Sequence, residues 1–200
     1  MTQRADARRN REALVAAAEE VFAEGGASAP LDTVARRAGV GRGTLYRHFP
    51  DRAALAVAVY ERRLAELEDV AHEHRDDPAL LERLVFGVAE RQTHVPGLVA
   101  VLLDTEAGRV ELARLDDRTR SIVAGPLARA RDRGEVRPDV TDDDLMLLFA
   151  MVDGLVHALP APLADERVRR ACRLMLDGLR QDGVPRRTAT EVTDVTGPKS

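Results

Sequence analysis

Apolar residues recur along most of this chain at intervals of three and four, the period of a helix with one buried face. The first such stretch covers about residues 8–24. It places Leu14, Ala17, Ala18, Val21 and Phe22 on one stripe, and Gly25-Gly26 supplies a left-handed stop. Pro30 suits the first turn of a second helix, LDTVARRA, which halts at Gly39. A short third helix runs from about Arg42 to His48. Pro50-Asp51 opens a long fourth, with Leu55, Val59, Leu64 and Leu67 spaced for burial. Asp77-Pro78 starts a fifth, apolar at Leu81, Leu84, Val85 and Val88. After the Pro96-Gly97 break, VPGLVAVLLDTEAG predicts a short helix ending near Gly108. A seventh helix spans about 111–133, with a kink expected at Pro126.

GEVRPDV reads as a connector. Thr141 and Asp144 then form a capping-box pattern, with Asp in place of the usual Glu, ahead of an eighth helix at about 143–158. The ninth, about 165–181, carries Val168, Ala171, Cys172, Met175, Leu176 and Leu179. Alternating strand patterns and hairpin signatures are absent, so the expected class is all-α. The polar stretch 184–200, rich in Thr and Pro, is expected to be disordered.

Composition narrows the class further. No apolar run approaches the ~18–20 residues of a membrane span, the first residues lack a secretory signal, and the single Cys172 has no internal disulfide partner. A cytoplasmic protein without a membrane segment is expected. The net charge of −4 is uneven: residues 1–52 hold nine arginines against seven acids, and the remainder holds 21 basic against 27 acidic residues. A mildly basic head on an acidic body can face a polyanion with one end. Lys199 is the only lysine, so nearly all positive charge is guanidinium, suited to forked contacts with phosphate or guanine.

The candidate chemistry lies in residues 37–49, RAGVGRGTLYRHF. Gly39, Gly41 and Gly43 are one residue too closely spaced for a dinucleotide-binding loop and follow a helix instead of a strand; a P-loop is absent as well. A helix-turn-helix fits. It needs a small residue where the helices cross, which is Ala35, and a positive φ in the turn, which is Gly39. Val34, Val40 and Leu45 would fill the gap between the helices, and Phe49 reads as core. The second helix then offers Arg42, Thr44, Tyr46, Arg47 and His48 to DNA, with Arg42 able to fork onto guanine.

These residues, with AEEVFAEGG before them and Arg52 and Leu55 after, resemble the amino-terminal domain of the TetR family of transcriptional regulators over about residues 10–55. The resemblance implies a helix-turn-helix domain at 1–52 and a helical ligand-binding and dimerisation domain at 53–183. It places Arg42, Gly43, Thr44, Tyr46, Arg47 and His48 at the operator, and Arg52 where a lysine commonly grips phosphate. Three departures stand out. Gly41 replaces a capping serine, Ala29-Pro30 replaces hydroxyl residues, and Asp32 is acidic where some relatives carry a cation.

The resemblance also implies a homodimer built on the last two helices, which the nearly all-round apolar LMLLFAMVDGLVHAL supports independently. An effector pocket is expected among the middle helices. Its candidate walls are Leu67, Leu84, Val88, Leu98, Leu102 and Phe149, with Gln92, His94 and Asp153 as polar contacts. His72 and His74, two apart on a helix, point away from each other, so no metal is expected. No cofactor or enzyme motif is found. The function expected is a ligand-responsive regulator, most simply a repressor. A constitutive DNA binder without effector and an enzyme carrying a DNA-binding head are the alternatives.

Overall fold

Helices form where the apolar stripes fall. In the computed structural model, which describes residues 2–159 and 161–181, they are α1 (Thr2–Gly25), α2 (Leu31–Arg37), α3 (Arg42–His48), α4 (Arg52–Glu73), α5 (Leu80–His94), α6 (Leu98–Leu103), α7 (Glu106–Asp132), α8 (Asp142–Ala158) and α9 (Ala161–Leu179). Among the described residues there is no strand beyond one antiparallel bridge between Val136 and Arg180. None of these helices is long and apolar enough to cross a membrane. The expected tail at 184–200 lies outside the described residues.

Three boundaries depart from the periodic reading: α9 starts at Ala161 instead of about residue 165, and two others have a visible cause. α1 begins at Thr2 instead of about residue 8, because charge pairs extend it where apolar periodicity is silent: Arg9 reaches Asp6, and Arg8 lies 3.6 Å from Glu12. The other is at Gly108, which does not stop α6. That helix ends at Leu103, and α7 starts at Glu106 with the Thr105 hydroxyl accepting the Gly108 N–H at 3.0 Å. Gly108 is therefore inside the first turn of α7, which then runs unbroken through Pro126. The capping box of α8 forms as read: Thr141 Oγ1 accepts from Asp144 N, and the Asp144 carboxylate accepts from Thr141 N at 2.7 Å.

The chain divides into two units. The first comprises Met1–Arg63 and His94–Leu115. Its core is Leu14, Val21 and Phe22 of α1, Val34 and Ala35 of α2, Leu45 and Phe49 around α3, and Leu55 and Val59 of α4. Each of these side chains larger than alanine contributes roughly 1.5–3 kcal/mol by leaving water. Arg63 is buried here and is held by Glu19 at 3.2 Å. The second unit comprises Leu64–Thr93 and Asp116–Ser200, with Leu84, Leu127, Leu145, Val152, Val168 and Cys172 among its buried side chains. α8 packs on α9. The connector after α7 is tied to the end of α9, where Arg137 N donates to Leu179 O at 3.0 Å and Arg180 pairs with Glu82. In this division α4 changes unit after Arg63, and 94–115 joins the first unit.

Candidate nucleic-acid interface

The corner that sets α3 is closed by backbone chemistry. Gly39 sits at φ 69°, its N–H donates to Arg36 O at 3.2 Å, and Val40 N donates to Ala35 O at 3.0 Å. This is a Schellman ending for α2, and the left-handed residue in it favours glycine. Val34 and Ala35 are buried at the crossing, and Val40 is half-buried. α3 starts from Gly41 with no side-chain cap, and Leu45 buries inward from its middle.

The outward face then follows from helical spacing. Arg42, Gly43, Tyr46 and Arg47 are exposed, Tyr46 to 42%, while Thr44 and His48 are half-buried. Phe49 is buried as core, with the Arg11 guanidinium 5.3 Å above its ring. His48 departs from a plain surface contact, since its Nε2 is buried without a partner.

The structure sorts the arginines of the head. Arg37 is taken by Glu24 and Glu20, through bonds of 2.9–3.0 Å. That hydrogen bonding, reinforced by the charge, holds the Glu24 carboxyl below its usual range and raises Arg37. Arg52 turns back into the protein, where it donates to the carbonyls of Ala27 at 2.6 Å and Ala29 at 2.7 Å. It braces the α1–α2 connection, whose Ala27 N–H donates to Pro96 O at 3.2 Å. Arg42 reaches Asp32, with Nε 2.8 Å from Oδ1. None of these three partnerships is visible in the sequence, because each joins residues from different turns of chain.

The expected effector residues fall into both units. Leu67, Leu84, Val88, Gln92, Phe149 and Asp153 belong to the second; His94, Leu98 and Leu102 belong to the first. The apolar members are all buried, whereas His94 is exposed. In the second unit Gln92 Nε2 donates to Phe149 O at 3.1 Å, and its Oε1 is buried without a partner. Asp153, one helical turn from Phe149, has its carboxyl raised by burial, partly offset by the charge of His157. A carboxyl raised in the fold stabilises it below the unfolded pKa and loses that benefit as pH rises through the folded value. Asp153→Asn is accordingly expected to raise the thermal midpoint at pH 7, with the advantage shrinking toward pH 3; melting curves across that range test it.

Elsewhere, Cys172 is buried and its thiol is pushed up to about 11, which fits packing and not redox sensing. Among the described residues no three His, Cys, Asp or Glu side chains gather as a metal site.

With this geometry in place, the relatives are informative. A family model described as bacterial regulatory proteins, tetR family, matches residues 14–59, and one described as the C-terminal domain of SbtR-like transcriptional regulators matches 79–181. The chain is 28% identical over 175 residues to the HTH-type transcriptional repressor BepR of Brucella suis, covering 77% of this chain and 82% of that one. A TetR transcription regulatory protein from Mycobacterium vanbaalenii superposes with a TM-score of 0.57 at 33% identity, over 89% of this chain and 99% of the other. A TetR transcriptional regulator of Streptomyces coelicolor gives 0.52 at 30%, over 86% and 99%.

Proposed function

Because the chain belongs to the TetR family of transcriptional regulators, we propose that it binds a palindromic operator as a homodimer, with one α3 in each of two major grooves, and that a small-molecule effector releases it. The observation that carries this reading is the outward row of Arg42, Tyr46 and Arg47 on a helix anchored by buried Leu45. Repression is the mode favoured, since BepR is a repressor.

Base reading falls to Arg42, which can fork onto guanine, while Tyr46, Arg47, Thr44 and the backbone at Gly43 meet phosphate and sugar. Arg52 positions the head and reaches phosphate only by giving up a carbonyl. The effector site is placed in the second unit, among Leu67, Leu84, Val88 and Phe149, with Gln92 and Asp153 as polar anchors. A buried amide oxygen with no partner and a desolvated carboxyl both gain from a ligand that hydrogen-bonds them. α4 begins at Arg52 and ends in the second unit, so a shift of α4 on ligand binding would change how the paired heads are spaced. Operator and effector then oppose each other by typically ~1–3 kcal/mol.

Two substitutions test the assignment. Arg42→Ala is expected to cost ~1–3 kcal/mol of discrimination at one base pair. Arg52→Ala is expected to weaken binding to cognate and random duplex alike, flatten the salt dependence and lower the thermal midpoint, because two charge-assisted bonds go with it. Affinities measured on both duplexes across a salt series separate the two. Equal losses on cognate and random DNA for Arg42→Ala contradict its reading role. A thermal-shift panel of small molecules addresses the effector: a ligand site gives stabilisation by some member, a constitutive binder by none.

A further inference from the structure

The pair between Asp32 and Arg42 joins the first turns of the two helices of the DNA-binding corner: Asp32 follows the start of α2, and Arg42 is the first residue of α3. Both side chains are largely in water, 52% and 67% exposed, so the pair adds little to stability. Its effect falls on the arginine. Gly41 offers α3 no cap, and α3 has no acid in its first turn, so a guanidinium at that positive helix end has no local partner. Asp32 supplies one as an ion pair, its Oδ1 lying 2.8 Å from Nε.

A guanidinium held through Nε keeps its two Nη groups free on the opposite edge. Those two groups form a fork able to meet O6 and N7 of guanine together. Resting on the proposed operator contact of Arg42, we propose that Asp32 is a positioning residue for base reading: it fixes Arg42 by Nε so that the Nη edge enters the groove already oriented. Ordering this long side chain before DNA arrives removes part of the entropy that binding would otherwise cost. An acid on this surface also repels phosphate, so Asp32 raises the ratio of specific to non-specific binding twice over.

The test is a double-mutant cycle on the full chain with Asp32→Ala, Arg42→Ala and both, each measured on a selected operator, on the operator altered at the base pair Arg42 discriminates, and on random duplex. Asp32→Ala is expected to lower discrimination at that base pair about three- to tenfold, by losing one ordered side chain. It is expected to tighten random-duplex binding and to leave the thermal midpoint nearly unchanged. In the Arg42→Ala background it should alter discrimination no further. Asp32→Glu, which keeps the carboxylate, is expected to retain part of the discrimination.

An equal change on all three duplexes makes Asp32 a simple repulsive charge and overturns the proposal. So does a loss of discrimination that persists without Arg42, which would have Asp32 reading a base itself. Wild-type protein that binds no duplex would sink the operator assignment and this role with it, whereas an additive cycle on a functional operator removes only this role.

Discussion

Glutamate at both Leu147 and Met151 is expected to split the proposed homodimer into monomers and to abolish operator binding at concentrations where the wild type is saturated. The two residues lie one turn apart on α8 and are 62% and 63% exposed, and Leu174 on α9 is exposed as well. α8 and α9 pack together, and neither Gly154 nor Gly178 has anything near the position a Cβ would take, which leaves room for helices of a second subunit to come close. A two-fold axis uses each residue twice, so four large side chains leave water. With about three-fifths of each still in water, burial contributes roughly 1–2 kcal/mol each, a gross contribution on the order of 4–8 kcal/mol, and buried carboxylates would add repulsion. A dimer of micromolar affinity, about 8 kcal/mol, does not survive such a loss. Sedimentation equilibrium of the variant, alone and with operator, reads both effects. An intact dimer would move the interface away from this face.

Gly108→Ala is expected to lower stability by about 2–3 kcal/mol, a large effect for one methyl group. A Cβ there would stand 2.2 Å from the carbonyl oxygen of Leu102 and 2.9 Å from Thr105 Oγ1. Leu102 is wholly buried, so its carbonyl cannot retreat without moving α6. In a chain of this size the thermal midpoint should fall by about 4–12 °C. Gly43→Ala is the internal control: it lies in α3 with nothing near its Cβ position, and alanine there should gain up to about 1 kcal/mol of helix propensity. Two glycine-to-alanine changes of opposite sign, read by thermal melts, separate close approach from backbone freedom. Equal midpoints would contradict the crowding at the α6–α7 corner.

Gly108 also marks where the sequence stops informing. The α2–α3 corner is readable because everything that makes it is local: small Ala35, left-handed Gly39, and Leu45 and Phe49 at inward-facing positions. The α8 cap is readable for the same reason. Gly108 resembles a helix stop in one dimension; only the fold brings the Leu102 carbonyl against it. Arg37 and Arg52 belong to the same class, since a guanidinium's partner is set by which turns of chain pass nearby. Periodicity marks Leu67, Leu98, Leu102 and Phe149 as buried with equal clarity, yet it carries nothing about which unit each one joins. The fold and the exposed short helix α3 were thus legible, and the partition of the candidate effector residues was not.

α3 is proposed to read duplex DNA from an exposed position, twice per dimer. Selecting duplexes from a random pool with the full chain, then footprinting the winners, decides whether it does. The expected result is a two-fold-related pair of half-sites about 34–36 Å apart, one helical turn, with protection lost when Arg42 and Tyr46 are replaced by alanine. A pool that yields no enriched duplex, or a footprint indifferent to changes on α3, would contradict it.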